Sequence, residues 1–210
     1  MQKVMIATAG ALCLGAVGAG VVLALQGEPK GPELGASAID ATGSTLGGPF
    51  TMVSHEGETV TAEALIDGPT LLYFGYTFCP DVCPFDAQHM ADAVDLLAED
   101  GIDVTPVFVT VDPERDTEEQ LGYFVEAMHP DMVGLRGEGA ALEQATTAYK
   151  VFYSRVNDPD NAENYLMNHT AYTYFQLPEE GVVRIFRNGF PPEETAAEVK
   201  RVLEARGLAG

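Results

Sequence analysis

The chain has 210 residues, with 32 Asp or Glu against 11 Lys or Arg, a formal net charge of −21 and a pI near 4.2. That balance excludes a nucleic-acid-binding face, which needs clustered basic residues, and disfavours docking of the folded part on anionic lipid. A hydrophobic content of 46% is ample for one packed domain with appendages.

The first apolar stretch is an address. Val4–Leu25 contains no charge and no proline, and Cys13 within it reads as one more apolar residue. A run of this length is enough to span a bilayer core of roughly 30 Å. Val22–Leu23–Ala24–Leu25–Gln26 is a poor cleavage site, so the reading is an uncleaved membrane anchor. Lys3 and the amino terminus carry the positive charge before it, and acidic residues follow. The positive-inside rule then puts the rest of the chain outside the cytoplasm, which in a bacterium is the periplasm. The expected division is an anchor over residues 1–27, a Gly-, Pro- and Ala-rich linker over 28–46, and one folded domain over 47–210.

Within that domain the elements follow from periodicity and turn residues. Pro49–Val53 and Thr59–Thr61 flank a turn and predict a small hairpin, with a helical turn over Ala62–Leu65. Thr70–Gly75 is an unbroken apolar run and predicts a buried strand; Phe85–Glu99 carries Met90, Val94 and Leu97 at helical spacing. Val104–Val111 predicts a second buried strand. Asp112–Asp116 is a loop, and Thr117 with Gln120 fits a capping box for a helix ending near Met128. A helix over Gly139–Tyr149 and a short strand over Lys150–Arg155 come next. Val156–Met167 is polar, with an Asn-Asp-Pro-Asp-Asn cluster, and reads as an exposed loop. Thr170–Leu177 and Gly181–Arg187 predict a strand pair, and Pro191–Leu208 an amphipathic terminal helix. Early alternation of strand and helix predicts parallel strands, and the late hairpin adds antiparallel ones. The fold class is α/β, a mixed central sheet flanked by helices.

The chemistry concentrates between the first core strand and its helix. Cys79 and Cys83 are four apart in Phe78–Cys79–Pro80–Asp81–Val82–Cys83–Pro84. Pro84 suits a first helical turn, where its missing N–H has no partner to lose. The helix N-terminus favours thiolate over thiol, and thiolate is both nucleophile and soft-metal ligand. Helical residues four apart share a side, so the pair can hold one metal ion or close a disulfide. A dithiol loop placed this way in a mixed sheet is the layout of thioredoxin-like folds. On spacing alone a structural disulfide, a redox dithiol and a metal site all remain open.

Four histidines bear on that choice. His55 sits in the hairpin turn, His89 is six residues past Cys83 and faces away from it, and His129 ends a helix before Pro130. These three read as solvated or structural. His169 ends the polar loop immediately before the Thr170 strand, where loops at one sheet edge can converge on the Cys79 loop.

Three blocks in order resemble the Sco/SenC family of copper-binding assembly proteins. They are Gly75–Tyr76–Thr77–Phe78–Cys79–Pro80–Asp81–Val82–Cys83–Pro84, Val111–Asp112–Pro113–Glu114–Arg115–Asp116–Thr117, and Asn168–His169–Thr170 before an aromatic strand. The resemblance spans about residues 47–207. Asn168 stands where the family often has Asp, which removes a negative charge beside the histidine. The resemblance implies a thioredoxin-like fold with an N-terminal transmembrane anchor. It implies copper, Cu(I) or Cu(II), held by Cys79, Cys83 and His169; Asp81, Asp112 and Asp116 read either as outer groups of that site or as turn and cap residues. The partner it implies is the copper-receiving subunit of cytochrome c oxidase, with another copper chaperone or a thioredoxin-like reductant as further contacts. Soft thiolates select Cu(I), imidazole suits both copper states, and a disulfide holds neither. The alternative is a thiol–disulfide oxidoreductase in which Cys79 attacks and Cys83 resolves.

Overall fold

The computed structural model describes residues 38–158 and 161–209. The expected anchor over 1–27 lies outside the described residues. Among those described, no helix is long and apolar enough to cross a membrane.

The strands are β1 (Ile39–Asp40), β2 (Thr51–Ser54), β3 (Thr59–Thr61), β4 (Thr70–Gly75), β5 (Thr105–Thr110), β6 (Val133–Arg136), β7 (Tyr153–Asp158), β8 (Asn161–His169), β9 (Tyr172–Leu177) and β10 (Gly181–Arg187). The helices are α1 (Ala62–Leu65), α2 (Val82–Glu99), α3 (Glu118–Met128), α4 (Ala140–Ala148) and α5 (Pro192–Glu204). Eight strands form one mixed sheet in the order β1-β10-β9-β4-β5-β6-β2-β3, and β7-β8 form a separate two-stranded ribbon. β4, β5 and β6 run parallel, joined through α2 and α3. β9 lies antiparallel on the other side of β4, and β10 pairs antiparallel with β9.

All six residues of β4 are buried, which is why its sequence is an uninterrupted run instead of an alternation. Leu71, Leu72, Tyr73 and Phe74 are wholly inaccessible, and Phe108, Val107 and Phe175 meet them from β5 and β9. Gly75 ends the strand for a packing reason. A Cβ there would stand 2.8 Å from the Tyr73 ring and 2.9 Å from the Phe108 ring. α2 buries Cys83, Ala87, Met90, Ala91, Val94 and Leu97, the face expected from its spacing. Thr117 caps α3 by accepting from the Gln120 amide, as its sequence predicts.

Three expectations change. Ile39–Asp40, assigned to the linker, pairs with β10, and Ala41 is buried, so the chain joins the sheet before residue 47. Val133–Arg136 is a strand between β5 and β2, too short to declare itself by periodicity. Val156–Met167 is not a loop but most of the β7–β8 ribbon.

Candidate metal centre

The cysteine loop is built by a helix that lacks an ordinary cap. Asp81 precedes α2, yet its side chain makes no capping bond. The Cys83 amide donates instead to Cys79 Sγ at 3.3 Å. The sulfur thus takes the place of a capping oxygen, and one of the first-turn N–H groups that a helix leaves unpaired is spent on it. A turn from Cys79 N to Tyr76 O, 3.3 Å, holds the loop closed. Cys79 is half-buried; Cys83 is fully buried. Neither is in a disulfide.

His169 arrives from the other side of the sequence as the last residue of β8, opposite Tyr153. The base of the ribbon is fixed by Thr170 N to Phe152 O at 2.9 Å and Phe152 N to Thr170 Oγ1 at 3.1 Å. His169 Nδ1 faces the Thr170 carbonyl at 3.3 Å, an acceptor, so this nitrogen carries the ring proton. Nε2 keeps its lone pair and meets Cys83 Sγ at 3.2 Å. The Tyr73 and Tyr76 rings meet the imidazole edge-on, at 6.0 and 5.9 Å between centroids. The imidazole has little freedom to turn.

The two thiols divide one proton unequally. The neighbouring Cys83 thiol, whose single proton Cys79 Sγ and His169 Nε2 can both accept, holds the Cys79 thiol down to about 3, against the cost of its partial burial; the amides of Asp81 and Cys83 add to the effect. The same interaction and deep burial push the Cys83 thiol well above the ordinary thiol range. The reduced pair is therefore a thiolate at Cys79 and a thiol at Cys83.

One loop touches both halves of the site. Asp116, fully buried, accepts from Thr77 N at 3.0 Å and Thr77 Oγ1 at 2.7 Å, two positions before Cys79, and from Thr110 Oγ1 at 2.5 Å. Four positions earlier, Asp112 accepts from Tyr165 Oη and from Arg115 Nε, both at 2.6 Å. Arg115 Nη1 donates to the Tyr165 carbonyl at 2.9 Å. Two guanidinium groups lie over the Tyr165 ring, Arg115 at 3.6 Å and Arg155 at 3.7 Å from its centroid. Residues 112–116 thus hold the cysteine loop through Thr77 and the histidine ribbon through Tyr165.

Of the residues singled out in the sequence, Cys79, Cys83 and His169 come together. Asp112 and Asp116 support them from behind, and Asp81 makes no capping bond. The other histidines are placed elsewhere, though none is idle. His55 accepts from Gly134 N at 3.1 Å, His89 Nδ1 meets Phe190 O at 3.0 Å, and His129 is buried with its Nε2 3.3 Å from Asp95. Sequence reasoning missed Thr77, Tyr165 and Arg115 as supports. The signal available was an arginine and two aspartates in five residues of a short loop, more charge than a turn needs. Among the described residues no three His, Cys, Asp or Glu side chains stand in a ready metal geometry. The donor set fits copper in kind, because two sulfurs and one bare imidazole nitrogen are soft ligands, and the neighbouring carboxylates are committed to the loop.

A dithiol on a strand-to-helix loop, with a histidine delivered to it by a separate ribbon, defines a protein of thioredoxin-like fold with a Cys-Cys-His cluster. The comparisons narrow this class. The SCO1/SenC family pattern matches residues 39–204, and the chain belongs to that family. Protein SenC of Rhodobacter capsulatus is 41% identical over 194 residues, covering 91% of this chain and 87% of that protein. Among solved structures, Arabidopsis thaliana ScoI with copper bound superposes with a TM-score of 0.71 at 35% identity, covering 76% of this chain and 99% of the other. BsSco, described as having a disulfide switch and as a member of the Sco family of cytochrome c oxidase assembly proteins, aligns with a TM-score of 0.59. It is 28% identical, covering 78% of this chain and 96% of its own. The mixed α/β thioredoxin-like fold is that of the family.

Proposed function

We propose that this protein is a copper chaperone: it binds one copper ion through Cys79, Cys83 and His169 and assists assembly of the dinuclear copper centre of cytochrome c oxidase. The observation that carries the reading is the 3.2 Å approach of Cys83 Sγ to His169 Nε2, with the ring proton parked on the far nitrogen. A neutral imidazole with a free Nε2 is the form that ligates metal, and its partner at Nδ1 fixes the tautomer. Copper binding takes the Cys83 proton, since the ligand is thiolate, so apparent affinity rises with pH. The half-buried Cys79 supplies the sulfur most open to a receiving protein, which suits handover. The copper-bound Arabidopsis relative and the oxidase-assembly role of BsSco support this reading. The anchor over 1–27 would hold the domain at the membrane, facing the periplasm.

A second reading is favoured by the unequal thiols. Cys79 thiolate attacks a disulfide of a copper-receiving protein and releases one thiolate. Cys83, giving its proton to the thiolate just released, then displaces the partner and closes the Cys79–Cys83 disulfide. The partner gains two electrons and this dithiol loses them.

The deciding experiment loads the reduced full chain with Cu(I) without oxygen, strips loose metal with a competing chelator, and counts copper per chain. The chaperone reading expects one copper, lost in His169→Ala and Cys83→Ser while the fold survives. No retained copper in the wild type, with rapid disulfide exchange that survives His169→Ala, establishes the oxidoreductase instead.

A further inference from the structure

Tyr73, the fourth residue of β4, carries a hydroxyl that the packing alone does not explain. Its side chain is fully inaccessible, and its Oη is a buried polar atom with no hydrogen-bond partner among the described residues. Such a group gives up its water and gains nothing in exchange. Phenylalanine fills the same space without that penalty, and the next residue in the strand is Phe74. The ring is held in place by Phe108, 6.0 Å away between centroids, and by the missing Cβ at Gly75. Its edge-on contact with His169 puts it against the metal site instead of in the general core.

The ionisable side chains that act on the hydroxyl are Cys83 and Asp86. Both oxygens of Asp86 are already engaged, one by Asn188 Nδ2 at 2.8 Å and the other by Gly189 N at 2.9 Å. Cys83 Sγ faces His169 Nε2 at 3.2 Å and shares its proton with Cys79. When His169 Nε2 and Cys83 Sγ both turn to a metal ion, that arrangement is lost. The sulfur is then a charged acceptor in a buried pocket, and among the described residues Tyr73 is an unspent donor beside it.

Resting on the reading of Cys79, Cys83 and His169 as copper ligands, we propose that Tyr73 is a positioning residue for the metal site, its hydroxyl donating to Cys83 Sγ when that sulfur is bound to copper. In the metal-free protein the hydroxyl stands beside Cys83 without a well-formed bond to it, and metal binding turns that sulfur into a charged acceptor. A donor to a metal thiolate draws electron density from the sulfur, which favours Cu(I) over Cu(II) and shortens the sulfur's reach toward competing protons.

Tyr73→Phe separates this role from a structural one, because the two predict opposite behaviour. The test compares wild-type full chain and variant in three readouts: melting temperature of the metal-free reduced form, Cu(I) retention against a graded chelator, and the sulfur-to-copper absorption band of the Cu(II) form. The expected result is a metal-free melting temperature equal to or above wild type, Cu(I) affinity lower by about tenfold, and a band shifted to lower energy. Unchanged affinity with an unshifted band overturns the proposal while leaving the copper reading standing. So does a fall in melting temperature with no shift of the band, which marks the hydroxyl as structural. If the wild type itself retains no copper, the underlying copper reading fails, and this inference with it.

Discussion

Asp116 holds Thr77 by two bonds, from the amide at 3.0 Å and the hydroxyl at 2.7 Å, across 39 positions of chain. All its partners are donors, so Asn at this position turns an N–H₂ toward one of them and loses that bond. Burial pushes the Asp116 carboxyl above its ordinary 3.8, although the Thr110 and Thr77 bonds pull it down. A carboxyl raised on folding contributes most below its unfolded value and loses that contribution as pH rises through its folded value. Asp116→Asn should cost about 1–3 kcal/mol. The wild-type advantage should be larger near pH ~4.5 than near pH ~7. Urea unfolding at both values checks it; an advantage that grows with pH contradicts the burial argument.

Arg115 is the fastening of the ribbon that carries His169. Arg115→Ala removes its bonds to Asp112 and the Tyr165 carbonyl and one of the two guanidinium contacts on the Tyr165 ring. The expected local loss is about 2–3 kcal/mol, a charge-assisted bond together with cation–π stacking. Amide hydrogen exchange should quicken roughly 30- to 100-fold at Tyr165–His169 while β4 and β5 stay protected. Uniform quickening across the domain would show that the clamp serves global stability instead.

The unequal thiols predict a reactivity pattern. With Cys79 held down to about 3, its alkylation in the reduced metal-free protein should be nearly independent of pH between about 5 and 8. Cys83, pushed up and fully buried, should stay unmodified throughout. Mass spectrometry after timed iodoacetamide treatment distinguishes the sites. A Cys79 rate that climbs tenfold per pH unit over that range would mean an ordinary thiol.

Gly75→Ala tests the packing at the end of β4. The added Cβ meets Tyr73 and Phe108 under 3.0 Å, and both rings are wholly buried. Overpacking of this kind costs about 1–3 kcal/mol. Because Tyr73 touches His169, weaker copper retention should come with a loss of melting temperature, whereas Tyr73→Phe weakens retention without that loss. Unchanged melting would mean the rings yield freely.

The order of elements was legible because β4, β5 and α2 bury long apolar faces that mark the sequence with their own periods. The cysteines and His169 were legible as residue types in a telling context. Their support was not. Tyr165 lies in a segment whose apolar neighbours, Val156 and Leu166, remain 42% and 49% exposed, so no alternation of burial announces a strand. The ribbon is fixed by polar and cationic contacts to Asp112 and Arg115, which leave no periodic trace. β6 escaped for a related reason. Four residues including Gly134 cannot show a period, and the glycine is required because a Cβ there would stand 2.7 Å from Leu121.

The separation of Cys83 from His169 by 86 positions has a consequence for the life of the chain before it is folded. β4 gains its antiparallel neighbour only when β9 has been made, and β9 directly follows the histidine. Both thiols therefore leave the ribosome and any export channel well ahead of the imidazole and the ribbon that shield them. During that interval they are two bare sulfhydryls four residues apart, open to oxidants and to stray soft metals. Non-local pairing is slow to form, and it lengthens the interval. The dithiol has to be guarded, or reduced afterwards, before the finished pocket can choose its own occupant.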